Sequence, residues 1–198
     1  FIEVNEMLRI LSWVLVIGGF ITLSFAGYQF WSSSYKENQR LSEAEAMLST
    51  PEDQDHALKE NVADIEYETG DTIGLLYIPK LDREIPIIEG TDEDELAQGV
   101  GHYHDTGLPG QNRQILLSGH RDTVFRNFDE LEDGDEFHVK MEYGTYRYKI
   151  SDHEIVSADN TTVIDPSRRD EYLTVSTCYP FSMIGNAPDR YVLYAYPQ

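Results

Sequence analysis

The sequence is short of basic residues and of cysteine. It sets 15 Lys and Arg against 36 Asp and Glu, a formal net charge of −21. Nucleic-acid binding draws most of its affinity from cations that neutralise phosphates, so a chain this acidic is excluded from that class. A single cysteine, Cys178, rules out an internal disulfide and any cysteine-rich zinc site. No internal repeat is visible. Charge of either sign is missing from one long stretch, since no Asp, Glu, Lys or Arg lies between Arg9 and Lys36.

What is present is the composition of a folded protein, too rich in aromatic and aliphatic residues for a disordered chain, at a length that allows one domain plus appendages. Within the charge-free stretch, Ile10 to Trp31 reads ILSWVLVIGGFITLSFAGYQFW. These 22 residues compare with the roughly 20 that a helix needs to cross the hydrocarbon core. Trp13, Tyr28 and Trp31 lie toward its ends, where such rings favour the headgroup region. We expect an N-terminal segment over 1–9 and an uncleaved transmembrane helix over 10–31. The competing reading is a signal peptide cleaved at Ser24-Phe25-Ala26, but the apolar run continues past that site, and Glu3 and Glu6 precede it beside Arg9. Flanking charge leaves the orientation undecided, with Arg9 on one side and Lys36 and Arg40 on the other. The chain opens at Phe1 rather than Met, and further upstream residues are expected, so the charge rule stays undecided.

Residues 32–70 are polar and acidic, with Lys36, Arg40 and Lys59 as their bases. In YKENQRLSEAEAML, Leu41, Ala44 and Leu48 stand near helical spacing until Ser49-Thr50-Pro51 breaks the pattern, and PEDQDHALKENVADIEYETG offers a second short helix. The segment reads as an acidic helical stalk, a solvated spacer that holds the folded part off the membrane. The alternative is a segment that packs on the domain or covers its site.

From Asp71 onward the pattern changes to short β-branched and aromatic runs: IGLLYIPKL, EIPIIEG, RQILLSGH, DEFHVKME, TYRYKIS, YLTVST and RYVLYAY. Turn signals such as Pro109-Gly110, Asp133-Gly134 and Tyr143-Gly144 separate them. Helix is expected only over Thr91 to Gln98, with Thr91 as N-cap, and for a turn or two within Phe125 to Leu131. Seven or eight strands over 71–198 predict a mostly antiparallel closed barrel or sandwich.

Two motifs mislead. His120-Arg121-Asp122 followed by Asn127 has the spacing of a kinase catalytic loop, but a Gly-rich loop and a DFG triplet are missing, and the chain is too short. His102-x-His104 would share one face of a strand, yet no carboxylate or cysteine spacing completes a zinc set, so hydrogen-bonding histidines are the expectation and no metal site is assigned. A third constellation carries chemistry. Cys178 closes the run Leu173-Thr174-Val175-Ser176-Thr177, His120 closes Ile115 to Gly119, and Arg190 opens Arg190-Tyr191-Val192-Leu193. Strand ends meeting at one barrel rim would bring thiol, imidazole and guanidinium together. A thiolate attacks, an imidazolium stabilises it and then protonates the leaving amine, and Arg binds a developing oxyanion. A free cysteine on a strand is also a common packing residue, and spacing alone leaves both readings open.

The same residues resemble a family. Leu173 to Cys178 is similar to the TLxTC signature of sortases, and TCYPFSMIGNAPDRY resembles the corresponding stretch of class D sortases. LSGHR at 117–121 matches their histidine motif, and GVGHYHDTGLPG at 99–110 resembles the stretch that precedes it. The resemblance covers Asp71 to Pro197. It implies an eight-stranded sortase-type β-barrel with a few short helices over 71–198, preceded by one transmembrane helix and the acidic stalk. It further implies residues 1–9 in the cytoplasm and the barrel outside a Gram-positive cell.

By the same resemblance, Cys178 is the nucleophile, His120 its acid/base partner, Arg190 the oxyanion or substrate-positioning residue, and Thr177 helps shape the oxyanion site. The implied reaction is transpeptidation. A secreted protein with an LPxT-type sorting signal (LPxTA or LPxTG-like) is cleaved through a thioester, and its acyl group passes to a peptidoglycan-precursor amine. A cysteine peptidase releasing the product to water, or a catalytically silent anchored binding module, are the alternatives. No cofactor is required. Some sortases bind calcium through loop acids, and Asp92-Glu93-Asp94-Glu95 and Glu132-Asp133-Asp135-Glu136 supply oxygens. Neither follows an EF-hand spacing, and a solvated acidic face is the expectation.

Overall fold

The structure, a computed structural model, describes residues 2–48, 62–63, 65–165, 167–183 and 185–198. The break expected at Ser49-Thr50-Pro51 and most of the second stalk helix lie outside the described residues; residues 65–70 are described and are not helical. Two compact units emerge, Phe1–Lys36 and Glu37–Gln198.

The first unit belongs to helix α1 (Ile2–Leu48), which runs through the charge-free stretch without interruption. Ile10, Trp13, Phe20 and Leu23 are all exposed, so this helix is apolar all round and has no polar face to offer water. It is long and apolar enough to cross a membrane.

The second unit holds the last turns of α1 and eight strands: β1 (Thr72–Ile78), β2 (Arg83–Glu89), β3 (Val100–His102), β4 (Gln114–Gly119), β5 (Glu136–Met141), β6 (Gly144–Ser157), β7 (Tyr172–Tyr179) and β8 (Asp189–Pro197). They close a barrel in the order β1-β2-β3-β4-β7-β8-β6-β5. The pairs β2/β3 and β4/β7 are parallel and the others antiparallel. An eight-stranded barrel is just wide enough for side chains to fill. Here Phe125, Phe128 and Phe137 do so with Leu76, Ile85, Leu117, Val175 and Leu193, the Phe125 and Phe128 rings lying 4.3 Å apart. β5 shows the alternation that drives this, with Phe137, Val139 and Met141 buried and the polar residues between them outside.

Several elements differ from the sequence expectation. β3 is only three residues long and gains its place through partners on both sides, β2 and β4. β6 continues from the expected 145–151 to Ser157 because its second half pairs with β8. Helix α2 is a single turn, Glu93–Leu96, capped by Asp92 rather than Thr91, and the Asp92 side chain makes no cap bond; instead its carbonyl accepts from Leu96 N. Within Phe125 to Leu131 only Phe128–Glu130 is helical, as a 3-10 turn.

The final turns of α1 pack on the barrel of their own unit. Ala44 is fully buried, Arg40 Nε donates to Gln98 Oε1 at 2.7 Å, and Arg40 Nη1 reaches Glu43 and Thr72. The Arg40 hydrogen bond holds the Glu43 carboxyl below its ordinary range.

A buried polar pair ties β2 to β3. Glu89 faces His102 across the parallel register, and His102 Nδ1 lies 2.6 Å from Glu89 Oε2. His102 Nε2 lies 2.9 Å from the Gly107 carbonyl and 3.2 Å from Thr106 Oγ1. The second Glu89 oxygen takes the exposed His104 Nδ1 at 3.0 Å. Every polar atom of the pair is thereby satisfied, which low dielectric demands. The histidines of the His-x-His motif are therefore hydrogen-bonded to a carboxylate and the backbone. Glu89→Ala strands the buried imidazole and should cost about 3–5 kcal/mol of unfolding free energy. His104→Ala removes an exposed partner and should cost less than about 1 kcal/mol. Urea titration of the two variants against wild type measures the contrast.

Candidate active site

Three adjacent strands, β4, β7 and β8, build the site. Their core residues are Ile115 and Leu117, Leu173 and Val175, and Leu193 and Ala195. Alternation along each strand then puts Cys178 and Arg190 on the outer face, and the same alternation continued past β4 puts His120 there too. Register supplies the rest. Cys178 pairs directly with Arg190, and Gly119 pairs with Thr177, so His120 follows at the height of Cys178. All three line one open cleft of about 510 Å³.

Close packing behind the cleft fixes these positions. A Cβ on Gly119 would stand 2.6 Å from both the Phe125 ring and the Val124 side chain, so only glycine lets the core come this near to His120. Phe125 N donates to the His120 carbonyl at 3.0 Å. Thr177 is buried, and its hydroxyl donates to the Gly119 carbonyl at 2.7 Å. The Thr177 side chain therefore does not line the cleft. It cross-links β7 to β4 immediately before the two reactive residues.

Cys178 is a free, half-buried thiol facing the cleft rather than a core residue. His120, Arg190 and Arg121 bring cationic or protonatable groups to its surroundings, and Asp122 brings one carboxylate. Reactive thiols occupy partly exposed, electropositive sites of this kind. Arg190 Nη1 donates to the carbonyls of Asp189 at 3.0 Å and Ala187 at 3.4 Å, which anchors the guanidinium beside its strand. Phe181, Tyr179 and Tyr191 form an aromatic cluster next to it, with centroids 5.3–6.3 Å apart. The arrangement can hold a carbonyl near a thiolate, a proton donor and a fixed positive charge.

The sequence reading brought out Cys178, His120, Arg190 and Thr177, and missed Arg121 and the wall formed by Phe181, Met183 and Asn186. Arg121 had stood out in a kinase look-alike and as the last residue of LSGHR at 117–121, without a role of its own. Its adjacency to His120 was the available signal. Among the described residues no group of three or more His, Cys, Asp or Glu is arranged to hold a metal ion. In the 132–136 turn, Asp135 already accepts from Glu132 N and from Lys80 Nζ.

Residues 76–198 match the family of sortase domains. The chain is 40% identical to sortase D of Bacillus subtilis (strain 168) over 193 residues, 95% of this chain and 98% of that one. It is similar in structure to a Clostridium perfringens sortase D5 transpeptidase, with a TM-score of 0.69 and 28% identity over 83% of this chain and 99% of that one. C. perfringens sortase C, solved with the C-terminal cell wall sorting motif, shares the fold at a TM-score of 0.67 and 24% identity, over 81% of this chain and 98% of that one. With its closed eight-stranded barrel and a cysteine, a histidine and an arginine on one cleft, this chain belongs to the sortase family of cysteine transpeptidases.

Proposed function

We propose that the protein is a membrane-anchored sortase that cleaves an LPxT-type sorting signal, LPxTA or LPxTG-like, on secreted proteins and joins them to a cell-wall amine. The observation that carries this reading is the meeting of Cys178, His120 and Arg190 on one open cleft. The Cys178 thiolate attacks the Thr carbonyl of the signal, and the following peptide bond breaks as His120 gives its proton to the departing amine. A thioester remains on Cys178. An acceptor amine, supplied by a peptidoglycan precursor, attacks it and passes a proton to His120 while the thiolate leaves. Arg190 keeps one guanidinium nitrogen on the backbone and offers the others to the oxyanion. Thr177 shapes the oxyanion site from behind, because its hydroxyl is committed to Gly119. No step in this scheme uses a metal or cofactor.

The α1 segment Ile10–Trp31 is the single-pass anchor in this proposal, residues 1–9 lie in the cytoplasm, the remainder of 32–70 links anchor to barrel, and the barrel faces outward. Protease added to intact cells should degrade the barrel while membrane fractions keep the N-terminal segment. A mature chain that starts near Gly27 would contradict the anchor.

Incubating the protein with LPxTA and LPxTG peptides plus candidate amines, with products identified by mass spectrometry, tests the reaction. Cys178→Ala should abolish both cleavage and amine transfer; turnover equal to wild type would end this reading. His120→Ala should nearly eliminate turnover. Arg190→Ala should cost on the order of 10²–10³ in rate, and Arg190→Lys should recover only part, since Lys keeps charge but loses the planar fork. Thr177→Val removes the hydroxyl bond to the Gly119 carbonyl and should cost about 0.5–1.5 kcal/mol of stability, read by urea titration.

A further inference from the structure

We propose that Arg121 is a positioning residue that holds the wall of the sorting-signal groove, and so sets peptide affinity without taking part in the bond-making steps. This inference rests on the transpeptidase reading above. The wall is the connection between β7 and β8, and its residues Phe181, Met183, Gly185 and Ala187 line the cleft opposite His120. Ser182, Met183, Gly185 and Asn186 are exposed, and the segment holds few bonds of its own. Among the described residues its internal main-chain hydrogen bond is Met183 N to the Pro180 carbonyl, at 3.3 Å. Exposed segments with so few internal contacts open easily.

The two ends of the wall are fastened independently. Phe181 packs edge-on against Tyr179 and Tyr191, and Arg190 reaches the Ala187 carbonyl. The middle is fastened by Arg121. Its Nη1 donates to the Pro180 carbonyl at 3.1 Å, and its Nη2 donates to the carbonyls of Met183 and, at 2.7 Å, of Gly185. One guanidinium thus spans three carbonyls spread over six residues of the wall. No carboxylate pairs with Arg121 among the described residues, so these carbonyl dipoles are its partners. A planar fork with five donors can meet such a set, whereas the compact ammonium of lysine meets it poorly. Because Arg121 directly follows His120, the same chain turn that aims the imidazole also fixes the surface against which the peptide lies.

Steady-state kinetics on the full chain with an LPxT peptide, iodoacetamide alkylation of Cys178 across pH, and amide hydrogen exchange test this on Arg121→Ala and Arg121→Lys. Both variants should raise KM about tenfold with kcat changed less than about threefold, because a misplaced wall weakens binding before it touches chemistry. Exchange should quicken at residues 181–187 and not elsewhere, and the pH profile of alkylation should match wild type. Unchanged KM with unchanged exchange overturns the proposal. So does a shifted alkylation profile or a fall in kcat at constant KM, either of which would make Arg121 a charge acting on the reacting pair. Full rescue by lysine would overturn the need for a fork. An inactive wild type would overturn the transpeptidase reading and this inference with it, whereas an active wild type with indifferent variants overturns this inference alone.

Discussion

The site depends on the register of the parallel pair β4 and β7. Gly119 stands opposite Thr177, and the Thr177 hydroxyl pins that pairing through the Gly119 carbonyl. A strand that slips by one residue turns every side chain to the other face. Such a slip in β7 would turn Cys178 toward the core side of Leu117 and Leu193 and turn Val175 and Thr177 outward. The antiparallel pairing of Cys178 with Arg190 then passes the same register to β8. The pairing of β4 with β7 and of β7 with β8 therefore brings a thiol, an imidazole and a guanidinium to one rim.

The charge distribution follows a similar logic. The chain is acidic, yet its cleft sets Arg190 and His120 with one cysteine, while the Arg121 guanidinium of the same cleft is committed to wall carbonyls. A thiolate and an oxyanion both need positive neighbours, and a cleft with low-dielectric walls makes each such neighbour count for more. Elsewhere some of the acids are engaged locally. Glu43 is bound by Arg40 and Thr72, Asp135 caps its own turn and meets Lys80, and Glu89 is enclosed by histidines.

The two misleading motifs acquire definite places. In the His-Arg-Asp triplet the histidine faces the cleft and the arginine reaches three carbonyls of the opposite wall. In the His-x-His pair one ring is buried against Glu89 and the other caps it from outside. Neither outcome is a property of the tripeptide itself. Each arises from a carbonyl or carboxylate that another part of the chain supplies.

The long charge-free run, the alternation of Phe137, Val139 and Met141, and the strand-closing positions of His120 and Cys178 were all legible in the sequence, because side-chain polarity and strand period are local properties. So were the histidine and cysteine motifs, since they are contiguous. Other features were not. β3 carries too few residues to signal a strand and exists because β2 and β4 both pair with it. The outer half of β6 is polar and exposed along most of its length, and β8 alone recruits it to the sheet. The engagement of Thr177 with Gly119, 58 residues away, and of Arg121 with carbonyls 59 to 64 residues away, came only with the tertiary structure. A hydrogen bond to a backbone carbonyl leaves no mark on the residue type that accepts it, because every residue has one. Which carbonyl an arginine or threonine will meet is therefore decided when the barrel closes.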